Sequence, residues 1–220
     1  PNGAGKSTVV ELISGLVKAD SGSILFDGKE LVGLPPHRVY AAGLARCFQL
    51  AKEWPHLTVF ENLLIAAPVA GRDSVLAAFL SHRRIRASER EDRERALATL
   101  ERYNLYPLRN DYAYTLSGGQ KRLLEFARIA MSHPKLALLD EPMAGVNPVL
   151  QVQIEAGIRS LLEDGTTVLL IEHNLGFVER LCDHIVVMVQ GKVAAQGSMA
   201  EVRNSEAVQV GYLGETTSAG

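Results

Sequence analysis

The chain has little cysteine, no long apolar run and no surplus of charge of either sign. Its two cysteines, Cys47 and Cys182, stand far apart with no CxxC spacing. That excludes a disulfide framework and a thiolate metal site and fits a reducing compartment. Both read as small buried hydrophobes. Lys and Arg number 23 against 25 Asp and Glu, for a formal net charge of −2. Binding nucleic acid by counterion release needs clustered basic residues, so no nucleic-acid partner is expected and any phosphate chemistry must be local. No apolar stretch approaches the roughly 18 residues that span a bilayer. The longest candidates, residues 63–70 and 168–171, are core-sized. Nor does the N-terminus set an apolar stretch behind a charged one in the manner of a secretory leader. The chain is expected to reach a membrane only through a partner.

Core material is ample. Over 220 residues, 47% are hydrophobic and 22% charged, the composition of an ordered α/β domain. Behind the opening Pro1-Asn2-Gly3-Ala4-Gly5-Lys6-Ser7-Thr8, the residues Val9, Val10, Leu12, Ile13 and Leu16 form the apolar stripe of a helix. Residues 23–26 and 29–32 flank Asp27-Gly28, a type I′ turn pair, which predicts a β-hairpin and a small antiparallel sublobe. Residues 81–102 are rich in charge of both signs and leave only Ala96, Leu97, Leu100 and Tyr103 as a narrow apolar stripe, the pattern of a solvated surface helix. A further helix is expected over 119–132, closed by Pro134. Leu136-Ala137-Leu138-Leu139 is too short for a helix and suits a buried parallel strand.

Asn147-Pro148 supplies an N-cap and a first-turn proline for a helix that should end near Asp164-Gly165. A strand over 166–171, a helix over 175–182 and a strand over 184–189 follow, then a turn at Gln190-Gly191 and a strand over 192–195. This alternation implies a right-handed, mostly parallel α/β sheet. No internal repeat is present, and only residues 215–220 look disordered.

Three clusters carry chemistry. Residues 1–7 supply seven of the eight positions of G-x-x-x-x-G-K-[ST], whose first glycine would stand immediately before Pro1. In such a loop the backbone N–H groups of Asn2, Gly3, Ala4 and Gly5 converge on phosphate oxygens. The helix that follows, with Thr8 in its first turn, points its positive end at them. Lys6 would supply charge to the β- and γ-phosphates of ATP, and Ser7 would ligate Mg²⁺. Second, the apolar strand ending in Asp140-Glu141 puts carboxylates at the carboxyl end of a parallel strand, where α/β sheets bind ligands. Asp140 there can orient Mg²⁺, and Glu141 is the candidate general base for an attacking water. Third, Leu116-Ser117-Gly118-Gly119-Gln120 sets a serine and two glycines at a helix start, an anion site if a phosphate arrives.

That third segment resembles the signature of the ABC ATPases, and the order of motifs along nearly the whole chain is similar to that family. The resemblance implies a phosphate-loop NTPase fold of class α/β: a mostly parallel sheet, a small antiparallel β sublobe and a helical signature subdomain. It implies one domain over 1–220, with the helical subdomain at about 64–122 and a C-terminal part at about 134–214. In the family, Ser117 to Gln120 would meet ATP held on the lysine loop of a second ATPase subunit, in a head-to-tail homo- or heterodimer. Gln49, in Cys47-Phe48-Gln49-Leu50, matches the glutamine that touches Mg²⁺ and the attacking water and signals to transmembrane permease subunits. His173 matches the switch histidine that contacts the γ-phosphate. Asn147 stands where the family usually has an aspartate, and either bonds across a dimer or caps its own helix.

That Asn-Pro, the context of Gln49, Thr58-Val59-Phe60-Glu61-Asn62-Leu63 and Tyr212-Leu213-Gly214-Glu215 resemble the branched-chain amino-acid importer branch. The urea importers share much of this. For either, the location implied is the cytoplasmic face of the membrane, peripheral through the permease, with a solute-binding protein as an indirect partner. A soluble ABC protein of translation or repair would keep these motifs, but usually carries two cassettes or a long coiled coil. A phosphate-loop kinase would leave the signature unexplained, and a non-catalytic switch could dispense with Glu141. In the family, the aromatic that stacks on adenine and the strand beneath the phosphate loop precede the position of Pro1. These residues as they stand are therefore expected to bind ATP less tightly and fold less stably than a chain that includes them.

Overall fold

Asp27 and Gly28 both adopt positive φ, 51° and 75°, as a type I′ turn requires. They join β1 (Leu25–Phe26) to β2 (Lys29–Glu30) as a short antiparallel pair. This is the hairpin expected from the Asp-Gly pair, although the flanking strands run for two residues each rather than four. In the computed structural model the described residues are 2–47, 53–68, 82–205 and 208. The chain divides into two compact units, Pro1–Ala42 with Leu170–Gly220, and Gly43–Leu169.

The first unit also holds α1 (Lys6–Ile13), α2 (Pro36–Ala41), α7 (Leu175–Leu181), α8 (Met199–Arg203) and an antiparallel pair, β6 (Ile185–Val189) with β7 (Lys192–Gly197). The expected stripe on α1 is narrower than its sequence suggests. Val10 is buried, whereas Val9 and Leu16 are 36% and 49% exposed. The helix ends at Ile13 after about two turns, so Leu16 falls beyond it and one residue carries the burial. Cys182 is half-buried, at the end of α7, and Cys47 in the other unit is fully buried as expected.

The second unit contains β3 (Leu44–Cys47), β4 (Leu136–Asp140), α3 (Val59–Ala66), α4 (His82–Arg102), α5 (Gly118–Ser132) and α6 (Pro148–Glu163). β3 and β4 pair in parallel, and β5 (Thr167–Ile171) adds to β4 to give the order β3-β4-β5. Ala137, Leu138 and Leu139 have no exposed surface, which accounts for an apolar run without polar alternation. α5 is the hub of this unit, packing on α3, α4, α6 and β3, with Leu124, Phe126, Ala127 and Met131 fully buried. Pro134 does not itself close α5. His133 does so in the left-handed region at φ 44°, a common way to end a helix.

Two buried polar groups tie loops to this core. Asn62 is completely buried, its Oδ1 accepting from Trp54 N–H at 2.9 Å and its Nδ2 donating to the Trp54, Leu57 and Thr58 carbonyls. The segment leading into α3 is thereby pinned by one side chain, and Thr58 with Glu61 adds a reciprocal cap at the helix start. Tyr103, just past α4, packs beside Gly157 of α6, and its hydroxyl donates to the Gly157 carbonyl at 3.2 Å. Burial pushes the Tyr103 phenol up to about 12, so it stays a neutral donor. A Cβ on Gly157 would stand 2.9 Å from the Tyr103 ring. Gly157→Ala should therefore destabilise the protein by about 1–3 kcal/mol despite alanine's better helix propensity. A higher midpoint in urea for the variant would contradict this packing.

Candidate functional site

Residues 2–5 form a tight loop running into α1, whose first turn holds Lys6, Ser7 and Thr8. Gly3 and Gly5 take φ of 72° and 89°, a conformation open to glycine at little cost. The loop is anchored to the β6–β7 turn: Gly191 N–H donates to the Ala4 carbonyl at 3.0 Å, and a Cβ on Gly5 would meet Gly191 Cα at 3.6 Å. Gln190 and Gly191 both have positive φ, so the anchor is itself a tight hairpin. The N-cap of α1 is a glycine without a side chain, and no acidic residue stands in the first turn. Ser7 and Thr8 are exposed, and nothing lies within 4 Å of a Cβ at Gly3. An uncapped positive helix end, a lysine in its first turn and open space above the loop suit a phosphate chain.

In the same unit, β5 ends at Ile171, and His173 follows, exposed, its backbone N–H donating to the Glu172 carboxylate at 3.1 Å. Asn174 then starts α7, its side chain accepting from Phe177 N–H at 3.1 Å. Lys6 and His173 line one cavity of about 280 Å³, whose other walls include Leu175, Val178, Ile185 and Met188. Two residues chosen from separate motifs thus share one space.

In the second unit, Asp140 is the last residue of β4, 6% exposed, with Arg46 Nη2 3.6 Å from its Oδ2. Glu141 follows in the left-handed region at φ 49°. A glutamate rarely adopts this conformation, which costs on the order of 1 kcal/mol or more and concentrates at functional sites. The turn beyond it is closed by Ala144 N–H to the Glu141 carbonyl, 3.1 Å. Asn147 then caps α6, its Oδ1 accepting from Leu150 N–H at 2.9 Å.

The Ser117–Gln120 segment forms a capping box: Ser117 Oγ accepts from Gln120 N–H at 3.3 Å, and Gln120 Oε1 accepts from Ser117 N–H at 2.8 Å. Those two amides are thus satisfied within the segment, so a phosphate approaching α5 would find Gly118 and Gly119 at its tip rather than all the amides the sequence suggests. Gly119 also lies against α6, where its Cβ would stand 2.5 Å from a Leu150 methyl. The helix capped by Asn147 is therefore packed against the start of α5. Gln49 and residues 212–215 lie outside the described residues. Arg46 was not signalled by any motif; its only mark in the sequence is a single charge within the apolar strand Leu44-Ala45-Arg46-Cys47.

Residues 1–144 match the family profile described as ABC transporter. The high-affinity branched-chain amino acid transport ATP-binding protein BraF of Pseudomonas aeruginosa is 41% identical over 216 residues, covering 98% of this chain and 85% of that protein. The probable branched-chain amino acid transport ATP-binding protein LivG of Archaeoglobus fulgidus is 40% identical, covering 97% of this chain and 82% of that protein. Among solved structures, an ATP-binding cassette of an ABC transporter in its ADP conformation is similar with a TM-score of 0.76 at 35% identity, over 97% of this chain and 85% of that one. A dimeric ATP-binding cassette in a post-hydrolysis state, bound to ADP and Pi, gives a TM-score of 0.71 at 25% identity, over 90% of this chain and 82% of that one.

Proposed function

The chain belongs to the ABC transporter family as an ATP-hydrolysing cassette, and from that premise we propose that it energises import of branched-chain amino acids through separate permease subunits. The observation that carries the substrate class is the 41% identity to BraF, sustained over 98% of the chain. No described helix is long and apolar enough to cross a membrane. In this reading the permease carries the solute, and the chain works from its cytoplasmic face.

The roles are assigned as follows. Asn2 to Gly5, with Thr8 in the first turn of α1, cradle the phosphates of ATP, and Lys6 balances the charge of the β- and γ-phosphates. Mg²⁺, when bound with ATP, neutralises phosphate charge and favours attack at the γ-phosphoryl group. Ser7, Asp140 and Gln49 would hold it. Glu141 takes the proton of the attacking water, and His173 senses the γ-phosphate. Ser117, Gly118, Gly119 and Gln120 of a second cassette, of this chain or a sister, close over the same nucleotide. Binding closes the pair, hydrolysis reopens it, and the permease reads the two states.

A tagged copy of the intact gene, purified from detergent-solubilised membranes of the source cells, tests the transporter reading against a soluble ABC protein. Integral-membrane subunits should co-purify with it. Recovery of the tagged protein from the soluble fraction alone, with no membrane subunit attached, would overturn the reading.

A further inference from the structure

Arg46 is the one charged residue of β3, and its Cα is in register with that of Leu138 on β4. Side chains alternate along a strand, so Arg46, Leu138 and Asp140 share one face of the sheet, with Asp140 one two-residue step beyond Leu138. The guanidinium spans that step to bring Nη2 within 3.6 Å of Asp140 Oδ2. Both side chains are withdrawn from water, at 11% and 8% exposure. A carboxylate in such a place is far more dependent on its cationic neighbour than a surface pair would be.

The strand that carries Arg46 is also fixed from its opposite face. Cys47 Sγ accepts from Arg122 Nη1 of α5 at 3.6 Å, and Arg122 is paired with Glu125 at 2.9 Å, both buried. Burial raises the Cys47 thiol well above its ordinary range, with the Glu125 carboxylate adding to the effect and Arg122 opposing it. Cys47 therefore remains a neutral thiol, buried beside the Arg122–Glu125 pair.

We propose that Arg46 is a positioning residue for Mg²⁺ binding, its guanidinium holding the Asp140 carboxylate in a fixed orientation at the end of β4. The proposal rests on Asp140 as a Mg²⁺ ligand. Groups behind a ligating carboxylate commonly change metal affinity by about 10- to 100-fold when removed. A lysine would keep the charge but carry it on a compact, more flexible head group than the planar guanidinium whose Nη2 stands 3.6 Å from Asp140.

The test is binding of a fluorescent ATP analogue to the full chain, titrated with Mg²⁺ and repeated in EDTA, for wild type, Arg46→Met and Arg46→Lys. The Mg²⁺ midpoint should rise about tenfold in Arg46→Met and by a smaller factor in Arg46→Lys, with affinity in EDTA unchanged in both. A midpoint indistinguishable from wild type in either folded variant overturns the proposal, as does an equal loss of affinity with and without Mg²⁺. If Arg46→Met does not fold, as circular dichroism would reveal, Arg46→Lys decides on the same terms. Failure of the wild-type chain to bind the analogue at all would count instead against the nucleotide reading of residues 2–8.

Discussion

Glu141→Gln should lower ATP turnover by about 100- to 10,000-fold, the range for loss of a general base, while leaving ATP binding intact. Glutamine keeps the size of the side chain and removes only its capacity to take a proton. Because Glu141 sits at φ 49° just past the buried strand β4, its direction is set by the backbone rather than by its own rotamer alone, and the amide should follow the same path. With hydrolysis blocked and binding retained, cassettes closed over ATP should accumulate. For self-pairing, light scattering of the product of the intact gene in saturating MgATP should register twice the monomer mass. Turnover in the variant equal to wild type would remove Glu141 from the chemistry.

Lys6→Ala should act one step earlier, on binding itself. The loop amides remain in Lys6→Ala, but the charge in the first turn of α1 does not. Hydrogen bonds to charged groups contribute at most about 3 kcal/mol each, so ATP affinity should fall by roughly a hundredfold. Calorimetric titration checks this directly. The site has no second lysine in the first turn of α1 and no side-chain cap there, so little is available to compensate. An affinity within about twofold of wild type would mean that the amides and helix dipole suffice without Lys6. Together the two variants separate binding from chemistry: Lys6→Ala should lose both, Glu141→Gln only the second.

Features with a local cause were legible in the sequence. Asp27-Gly28 announced its hairpin because type I′ geometry needs positive φ at both residues, and Asn147-Pro148 announced the start of α6 because cap and first-turn proline act within one turn. The run Leu136-Ala137-Leu138-Leu139 declared a buried strand by its lack of alternation, which in turn put Asp140 and Glu141 at a strand end. Features that depend on register or on distant neighbours were not legible. The pairing of Arg46 with Asp140 follows from the alignment of β3 on β4, two strands far apart in the chain. Gly157 reads as a weak spot in a helix until Tyr103 is seen lying on it. The stripe on α1 is shorter than its apolar residues suggest because nothing local marks the end of that helix at Ile13. The capping box at Ser117 was half legible: serine and two glycines indicate a helix start, yet Ser117 and Gln120 satisfy one another's amides before any phosphate arrives.

Uptake of labelled leucine, with labelled urea in parallel, by source cells carrying Glu141→Gln in the intact gene tests the central claim most directly. Selective loss of leucine uptake is the predicted result. Undiminished leucine uptake, or loss confined to urea, would contradict a cassette that energises branched-chain amino-acid import.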